Sequence, residues 1–192
     1  MPSTWSRRSR ALSDVAADLS IRAAAPGDAA AIARVHRESW QTTYAGILPL
    51  DVIAAQAGRK TEALWERRLS LSSSGEAVWL AERGGAIVGF ASCGDARHRL
   101  EGLEAEIYAL YVLQPDQRRG AGRELVRACA RHFVLNGHFG FYLWVLKANR
   151  ARLFYEALGG QEIGEKSERL GLHSFAEVAY GWHELTGLVA VG

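Results

Sequence analysis

The residues best suited to ligand chemistry lie between positions 105 and 126, in the sequence AEIYALYVLQPDQRRGAGRELV. An apolar run with β-branched and aromatic residues predicts a strand, Gln114-Pro115-Asp116 predicts a turn, and a helical pattern follows. The first amides of a helix have no intrahelical acceptor, and the positive end of the helix dipole lies beside them. Such a turn is suited to binding a phosphate group. The predicted contacts are Arg118, Arg119, Gly120, Ala121, Gly122 and Arg123.

A phosphate site would explain why this turn contains two glycines. A side chain at Gly120 or Gly122 would hold a pyrophosphate away from the amides. The alternative interpretation is an ordinary strand-to-helix loop with surface arginines. A GxGxxG dinucleotide fingerprint is absent, and no Gly-Lys-Ser/Thr follows as in a P-loop.

The amino-acid composition indicates a globular protein. The 192 residues, 48% apolar and 23% charged, are typical of one globular domain, which we expect over residues 19–192 after a flexible tail at 1–18. No apolar run approaches the roughly 18 residues that cross a membrane. A net charge of +2 is too small to indicate a nucleic-acid protein, and Cys93 and Cys129 suggest reduced thiols in a cytoplasmic protein.

The order of elements indicates an α/β (α+β) fold. A mixed, mostly antiparallel sheet of about seven strands with helices on both faces fits the pattern. Asp28 is the predicted N-cap of the first helix, and Gly84-Gly85 predicts a tight hairpin. The glycine-bounded, charged segment 94–102 predicts an exposed loop. We expect strands at about 19–24, 77–82, 86–92, 105–112, 141–146, 161–170 and 174–183, and helices at about 29–44, 50–56, 61–71 and 149–158. A further helix should open at 119–123 and carry Leu125, Cys129 and Phe133 on one stripe.

The spacing Gln117-x-x-Gly120-x-Gly122 resembles the acetyl-CoA loop of the GNAT superfamily of N-acetyltransferases, whose pattern is Gln/Arg-x-x-Gly-x-Gly/Ala. The resemblance covers about residues 20–185, because the element order and the later sequence NRARLFYEALGG are also similar to that superfamily. The stretch ESWQTTYAGILP looks like the start of bacterial members related to polyamine acetyltransferases. The resemblance implies transfer of acetyl from acetyl-CoA to a primary amine by direct attack in a ternary complex, with no metal.

The resemblance also implies how the pantetheine arm is held. Backbone groups of Leu110, Tyr111 and Val112 would bind it like an added strand, between this strand and a diverging one that begins near Phe141. A bulge near Ala109 is compatible with this arrangement. Asn149 would lie near the arm, although it stands six residues before Tyr155 where many members have seven; its predicted role as a helix N-cap is independent of that spacing.

An acetyl transfer to an amine needs a base. An amine of pKa about 10.4 is largely cationic at pH 7, and neutralising it costs roughly 4–5 kcal/mol at about 1.36 kcal/mol per unit. Glu106 lies inside an apolar strand and, by alternation, on one face with Tyr108, Leu110 and Val112. We predict that Glu106 is this base, directly or through water. A carboxylate at an exposed strand end is the competing interpretation, and Glu104 has the same parity.

The departing thiolate needs a proton or a hydrogen bond. Tyr155 matches the tyrosine that GNAT enzymes use as a general acid. Its ordinary pKa of about 10 exceeds that of a thiol near 8.5, so full proton transfer is mildly uphill and a hydrogen bond to the thiolate can suffice. Packing on a short helix is the competing interpretation.

Two aromatic residues are candidates for the wall of the pocket that binds the acceptor amine. Trp40 and Tyr44 stand four residues apart at a helix end, either as core packing or as walls of the acceptor pocket. A non-catalytic acetyl-CoA sensor is the alternative function, although a carboxylate at 106 and a tyrosine at 155 favour an enzyme. We expect no nucleic-acid or membrane partner, and the sequence leaves a homodimer open.

Overall fold

The computed structural model describes residues 19–59, 62–71 and 75–189, so the predicted tail at 1–18 lies outside the described residues. The strands are β1 (Leu19–Ala23), β2 (Ala77–Arg83), β3 (Ala86–Leu100), β4 (Leu103–Val112), β5 (Phe141–Leu146), β6 (Gln161–Leu170) and β7 (His173–Trp182). The helices are α1 (Ala29–Thr43), α2 (Leu50–Arg59), α3 (Glu62–Ser70), α4 (Ala121–Leu135), α5 (Arg152–Ala157) and α6 (Thr186–Val189).

The seven strands form one sheet in the order β1-β2-β3-β4-β5-β7-β6. Every neighbouring pair is antiparallel except β4 and β5, which are parallel. The parallel pair arises because α4 carries the chain from the end of β4 back to the start of β5. The predicted α/β class, with a mixed and mostly antiparallel sheet, is therefore confirmed.

Two cores cover the two faces of the sheet. On one face, the apolar stripe of α4 (Leu125, Cys129, Phe133) packs against strand residues such as Val178. On the other, Ile32 and Val35 of α1 pack against Phe90. Successive strand residues point to opposite faces, and Phe90 and Ala91 indeed belong to different clusters. The sheet is thus the middle layer of three.

The predicted loop at 94–102 is wrong. β3 continues through these residues to Leu100, and only Glu101 and Gly102 turn, both with positive φ (49° and 79°). The segment looks like a loop because it extends beyond the core, and its solvent-facing side chains are charged. Its strand form brings Arg97 against β4, where it becomes part of the site described below.

Asp28 occupies the predicted N-cap position of α1, but its carboxylate accepts no hydrogen bond from the first turn of that helix. It accepts instead from the Ala25 amide at 2.8 Å and from the Arg22 guanidinium at 2.6 and 2.8 Å. The charged partner on β1 outcompetes the neutral amides of the helix, since hydrogen bonds to charged groups are the stronger ones.

No helix within the described ranges is both long enough and apolar enough to cross a membrane.

Candidate active site

The central feature is the divergence of β4 from β5. The two strands pair only at Glu106 and Tyr142, whereas the other edge of β4 pairs with β3 as far as Val112. The backbone of β4 beyond Glu106 therefore has an edge without a partner strand, inside the sheet rather than at its border. Leu110, Tyr111 and Val112, the predicted pantetheine contacts, lie along this edge.

β4 contains a bulge that changes which face its side chains take. Ser92 pairs with Ala109 but Cys93 pairs with Ile107, so Tyr108 is an extra residue in β4. Ala105 and Ile107 pack in the α4-side core together with Leu110 and Val112. Glu106, between the first two, faces the α1 side. The predicted bulge near Ala109 is present, and the predicted shared face of Glu106 with Leu110 and Val112 is wrong because the bulge inverts the alternation.

The turn after β4 presents amides without protein partners. Glu124 is the first residue of α4 whose amide donates within the helix, to the Gly120 carbonyl at 3.1 Å. In the described chain, no backbone carbonyl and no capping side chain accepts a hydrogen bond from the amides of residues 118–123. Residues 118–120 and Arg123 are exposed. These amides can therefore bind an anion, as the sequence predicted for Arg118, Arg119, Gly120, Ala121, Gly122 and Arg123.

A buried arginine holds this turn in place. Arg83, at the end of β2, donates to the Arg119 carbonyl at 3.0 Å and pairs with Asp116 at 3.1 Å. Asp116 also pairs with Arg119 at 3.3 Å. Arg83 and Asp116 thus fix the backbone of the turn from the β2 side, and the amides that follow Arg119 are left without a protein acceptor in the described chain. The sequence analysis missed Arg83, because the charged pair Glu82-Arg83 at a strand end is typical of a solvated surface.

Glycine is favoured at the two positions of the turn for different physical reasons. Gly120 has φ +93°, a left-handed conformation that L side chains rarely adopt, and a Cβ there would only make an ordinary contact with Leu19 at 3.8 Å. At Gly122 a Cβ would lie 3.2 Å from Cζ of Phe154. Gly122 therefore allows helix α4 to approach α5, and its predicted contact with a pyrophosphate stays a prediction.

Glu106 is buried, with 1% of the residue exposed. Its carboxylate forms an ion pair with Arg97, accepts from the Arg97 amide at 3.2 Å, and accepts from the Tyr142 hydroxyl at 3.4 Å. The competing interpretation of an exposed strand end is excluded. Glu104, near the start of β4, is the exposed carboxylate, and it forms an ion pair with Arg99.

Tyr155 enters from the α4 side of the sheet. Its ring is packed among Phe154, Tyr180 and Trp182, with centroid distances of 5.4, 6.0 and 6.3 Å. Burial raises the pKa of Tyr155, and the nearby Tyr44 raises it further. Within the described residues, no protein group hydrogen-bonds its hydroxyl. A buried tyrosine hydroxyl usually has a partner, so this one is available to a ligand atom.

Side chains from three elements meet beside Tyr155. Burial raises the pKa of Tyr44 at the end of α1, and hydrogen bonding from Tyr111 and Asn149 opposes that shift. Burial raises the pKa of Tyr111 well above the usual value, and the neighbouring Tyr44 and Tyr155 raise it further. The structure thus brings the candidates Tyr44, Tyr111, Asn149 and Tyr155 together.

Trp40 and Tyr44, the predicted walls of the acceptor pocket, pack ring against ring at 4.4 Å. They belong to a third apolar cluster that also contains Leu146 and Phe175. This cluster lies on the α1 side, at the end of β5 that diverges from β4. The pair therefore has a structural role as well as a position beside the cleft.

Asn149 does not cap helix α5 in the predicted way. The helix begins at Arg152, and Asn149 Oδ1 accepts from the Ala151 amide at 2.9 Å in the turn before it. This contact fixes the approach to the helix and leaves the Asn149 side chain beside Tyr44.

No cluster of three or more His, Cys, Asp or Glu side chains with a geometry for a metal ion occurs among the described residues.

Comparisons with known proteins agree with this architecture. The model of the Acetyltransferase (GNAT) family matches residues 32–159. The chain is 34% identical over 170 residues to the uncharacterized N-acetyltransferase YuaI of Bacillus subtilis (strain 168), covering 88% of this chain and 96% of YuaI. It is also 34% identical over 148 residues to the probable N-acetyltransferase Rv2775 of Mycobacterium tuberculosis, covering 72% and 78%.

Solved structures share the fold at lower identity. The PaiA N-acetyltransferase of Thermoplasma acidophilum, solved in complex with coenzyme A, has a TM-score of 0.65 and 20% identity, covering 83% of this chain and 97% of its own. The acetyltransferase YncA of Salmonella typhimurium, solved with acetyl-CoA, has a TM-score of 0.63 and 22% identity, covering 86% and 93%. From the family match, the two relatives and the fold, this chain belongs to the acetyltransferase (GNAT) family.

Proposed function

We propose that the protein is an acetyl-CoA-dependent N-acetyltransferase that transfers acetyl to a primary amine by direct attack in a ternary complex. The observation that carries the proposal is the alignment of two binding features: the unpaired edge of β4 leads directly into the turn before α4, whose amides have no protein acceptor in the described chain. An extended pantetheine arm fits the first, and a diphosphate fits the second.

The residues present fit the cosubstrate. The amides at 118–123 have no protein acceptor in the described chain, and a side chain at Gly120 would meet only Leu19, at 3.8 Å. Arg118, Arg119 and Arg123 add positive charge around the same point. Leu110, Tyr111 and Val112 offer their backbone groups to the arm, and Asn149 lies at its far end. Acetyl-CoA supplies the acetyl group as an activated thioester.

Glu106 is proposed as the base, acting through water. The amine must lose a proton as its nitrogen attacks the acetyl carbonyl, and a buried carboxylate on the acceptor side of the sheet can receive it. Arg97 and Tyr142 hold the carboxylate in one orientation. Because these donors occupy the carboxylate, we favour proton transfer through water over direct contact with the amine.

Tyr155 is proposed as the acid. As the carbon–sulfur bond breaks, its hydroxyl can donate a hydrogen bond or its proton to the thiolate. Its raised pKa keeps the hydroxyl protonated at neutral pH, which is the form that can donate.

The proposed reaction is tested by measuring thiol release from acetyl-CoA against a panel of amines. We expect turnover with at least one primary amine and acetylation of its nitrogen by mass spectrometry. Binding of acetyl-CoA without turnover on any amine would instead support the alternative, a non-catalytic sensor. No binding at all would contradict both.

Replacing Gly120 with alanine tests the diphosphate site. A non-glycine residue in the left-handed region costs about 1–2 kcal/mol, which corresponds to roughly a 5- to 30-fold loss of coenzyme A affinity if the turn relaxes in the free protein. Isothermal calorimetry measures this. Gly27→Ala is the matched control, because Gly27 has no positive φ and open space around it. Equal affinities of the two variants would exclude the turn as the diphosphate site.

Replacing Glu106 with glutamine tests the base. We expect kcat to fall by about 10²-fold or more and the alkaline rise in rate to flatten, with coenzyme A affinity nearly unchanged. Glu104→Gln is the control, since Glu104 is the exposed carboxylate of the same strand. An unchanged pH–rate profile for Glu106→Gln would remove Glu106 from the mechanism.

Replacing Tyr155 with phenylalanine tests the acid. The ring packing is retained and only the hydroxyl is lost, so we expect folding to be unaffected and kcat to fall by about 10²-fold. Circular dichroism and steady-state kinetics measure the two effects. Turnover within a factor of about three of the wild type would show that the hydroxyl has no acid role.

A further inference from the structure

Glu177 is a partly buried carboxylate that the proposed mechanism does not use. It lies in β7, paired with Leu146 of β5 and with Lys166 of β6. Its neighbour Val178 packs in the α4-side core, so Glu177 faces the opposite, α1 side. This is the face of Glu106, Tyr44 and Phe175, and only 17% of the Glu177 side chain is exposed.

The ion pair of Glu177 can be replaced. Among the described residues its one ion-pair partner is Lys166, at 3.3 Å. Lys166 has two other partners of its own: Glu168 at 3.7 Å, and the ring of Trp144, with Nζ 4.3 Å from the centroid. A second cation could therefore bind Glu177 while Lys166 keeps a carboxylate and an aromatic face. Surface ion pairs of this kind contribute little free energy, so the exchange costs little.

The surroundings of Glu177 favour a carboxylate that binds a ligand. Burial raises the pKa of Glu177, which Lys166 opposes; Glu168 raises it further and Arg97 lowers it. Tyr44 lies close enough to be influenced by its charge. Beside it, an apolar groove is lined by Ile47, Leu146, Lys147, Ala148, Phe175 and Ala176.

The sheet register sets the spacing between the two carboxylates. Glu106 is opposite Tyr142 and Glu177 is opposite Leu146, so four residues of β5 separate their positions. At about 3.3 Å per residue this is about 13 Å along the strand, and because β4 and β7 lie on opposite sides of β5, two strand spacings of about 4.8 Å separate them across the sheet as well. An amine that reacts near Glu106 could thus place a second charged group, several carbons away, near Glu177.

We propose that Glu177 determines acceptor specificity by binding a second, non-reacting cationic group of the amine substrate beside Tyr44. This inference rests on the proposed function, since it concerns the acceptor of the same reaction. The class of acceptor is an aliphatic amine with a distal positive charge. The aliphatic part lies against the aromatic and apolar side chains of the α1 side.

The test compares α,ω-diaminoalkanes of four to eight carbons with monoamines of the same length. We expect the wild type to have a higher kcat/KM for the best diamine. Glu177→Gln should raise KM for that diamine by about tenfold or more, with kcat, KM for the monoamine and KM for acetyl-CoA nearly unchanged. A residue needed only for folding would not change the diamine-to-monoamine ratio.

Two further variants sharpen the result. Lys166→Met removes the competing cation and should lower KM for the diamine about two- to fivefold. Glu162→Gln is the control, because Glu162 is a half-exposed carboxylate of the same strand, β6, whose ion-pair partner is Arg152 rather than Lys166, and it should leave the ratio unchanged. A wild type that acetylates monoamines as well as diamines, or a Glu177→Gln variant with the wild-type ratio, would overturn the role of Glu177. A wild type that acetylates no amine would contradict the proposed function instead.

Discussion

The separation of β4 from β5 is the constraint on which the rest of the site depends. Backbone N–H and C=O groups inside a protein need partners, and a sheet normally supplies them from both neighbouring strands. Here β4 is paired along one edge and, beyond Glu106, unpaired along the other. The unpaired edge faces a cleft rather than solvent at the border of the sheet. An extended ligand can complete the ladder there, and α4 begins where that ligand would leave the cleft.

The bulge at Tyr108 then divides the chemistry between the two faces of the sheet. Without the extra residue, Glu106 would share a face with Leu110 and Val112 and would point into the α4-side core. With it, Glu106 faces α1, together with Trp40 and Tyr44, whereas Tyr155 approaches from the side of α4. Under the proposed mechanism, an acceptor on one side and a thioester in the cleft would meet at β4, the amine near Glu106 and the sulfur near Tyr155. One inserted residue thus places the proposed base and the proposed acid on opposite faces.

Local sequence predicted the parts of this arrangement that depend on local physics. The turn at 117–122, the Gly84-Gly85 hairpin and the bounds of β5 follow from residue types and short-range periodicity. Contacts between distant elements did not follow. Nothing in the sequence near Arg83 indicates that it holds the Arg119 carbonyl 36 residues later, and Arg97 was assigned to a loop because its segment is charged. The face taken by Glu106 could not be derived, since a bulge has no sequence signature as strong as a turn.

The acceptor side carries balanced charge, and this limits what it can bind. Arg97 neutralises Glu106, and Lys166 neutralises Glu177. The two pairs are not equivalent. Arg97 binds through its amide as well as its guanidinium, and Glu106 is buried, so displacing Arg97 would leave a buried charge uncompensated. Lys166 holds Glu177 through a single contact and has alternative partners, so Glu177 is the carboxylate that can exchange its cation for one from a substrate.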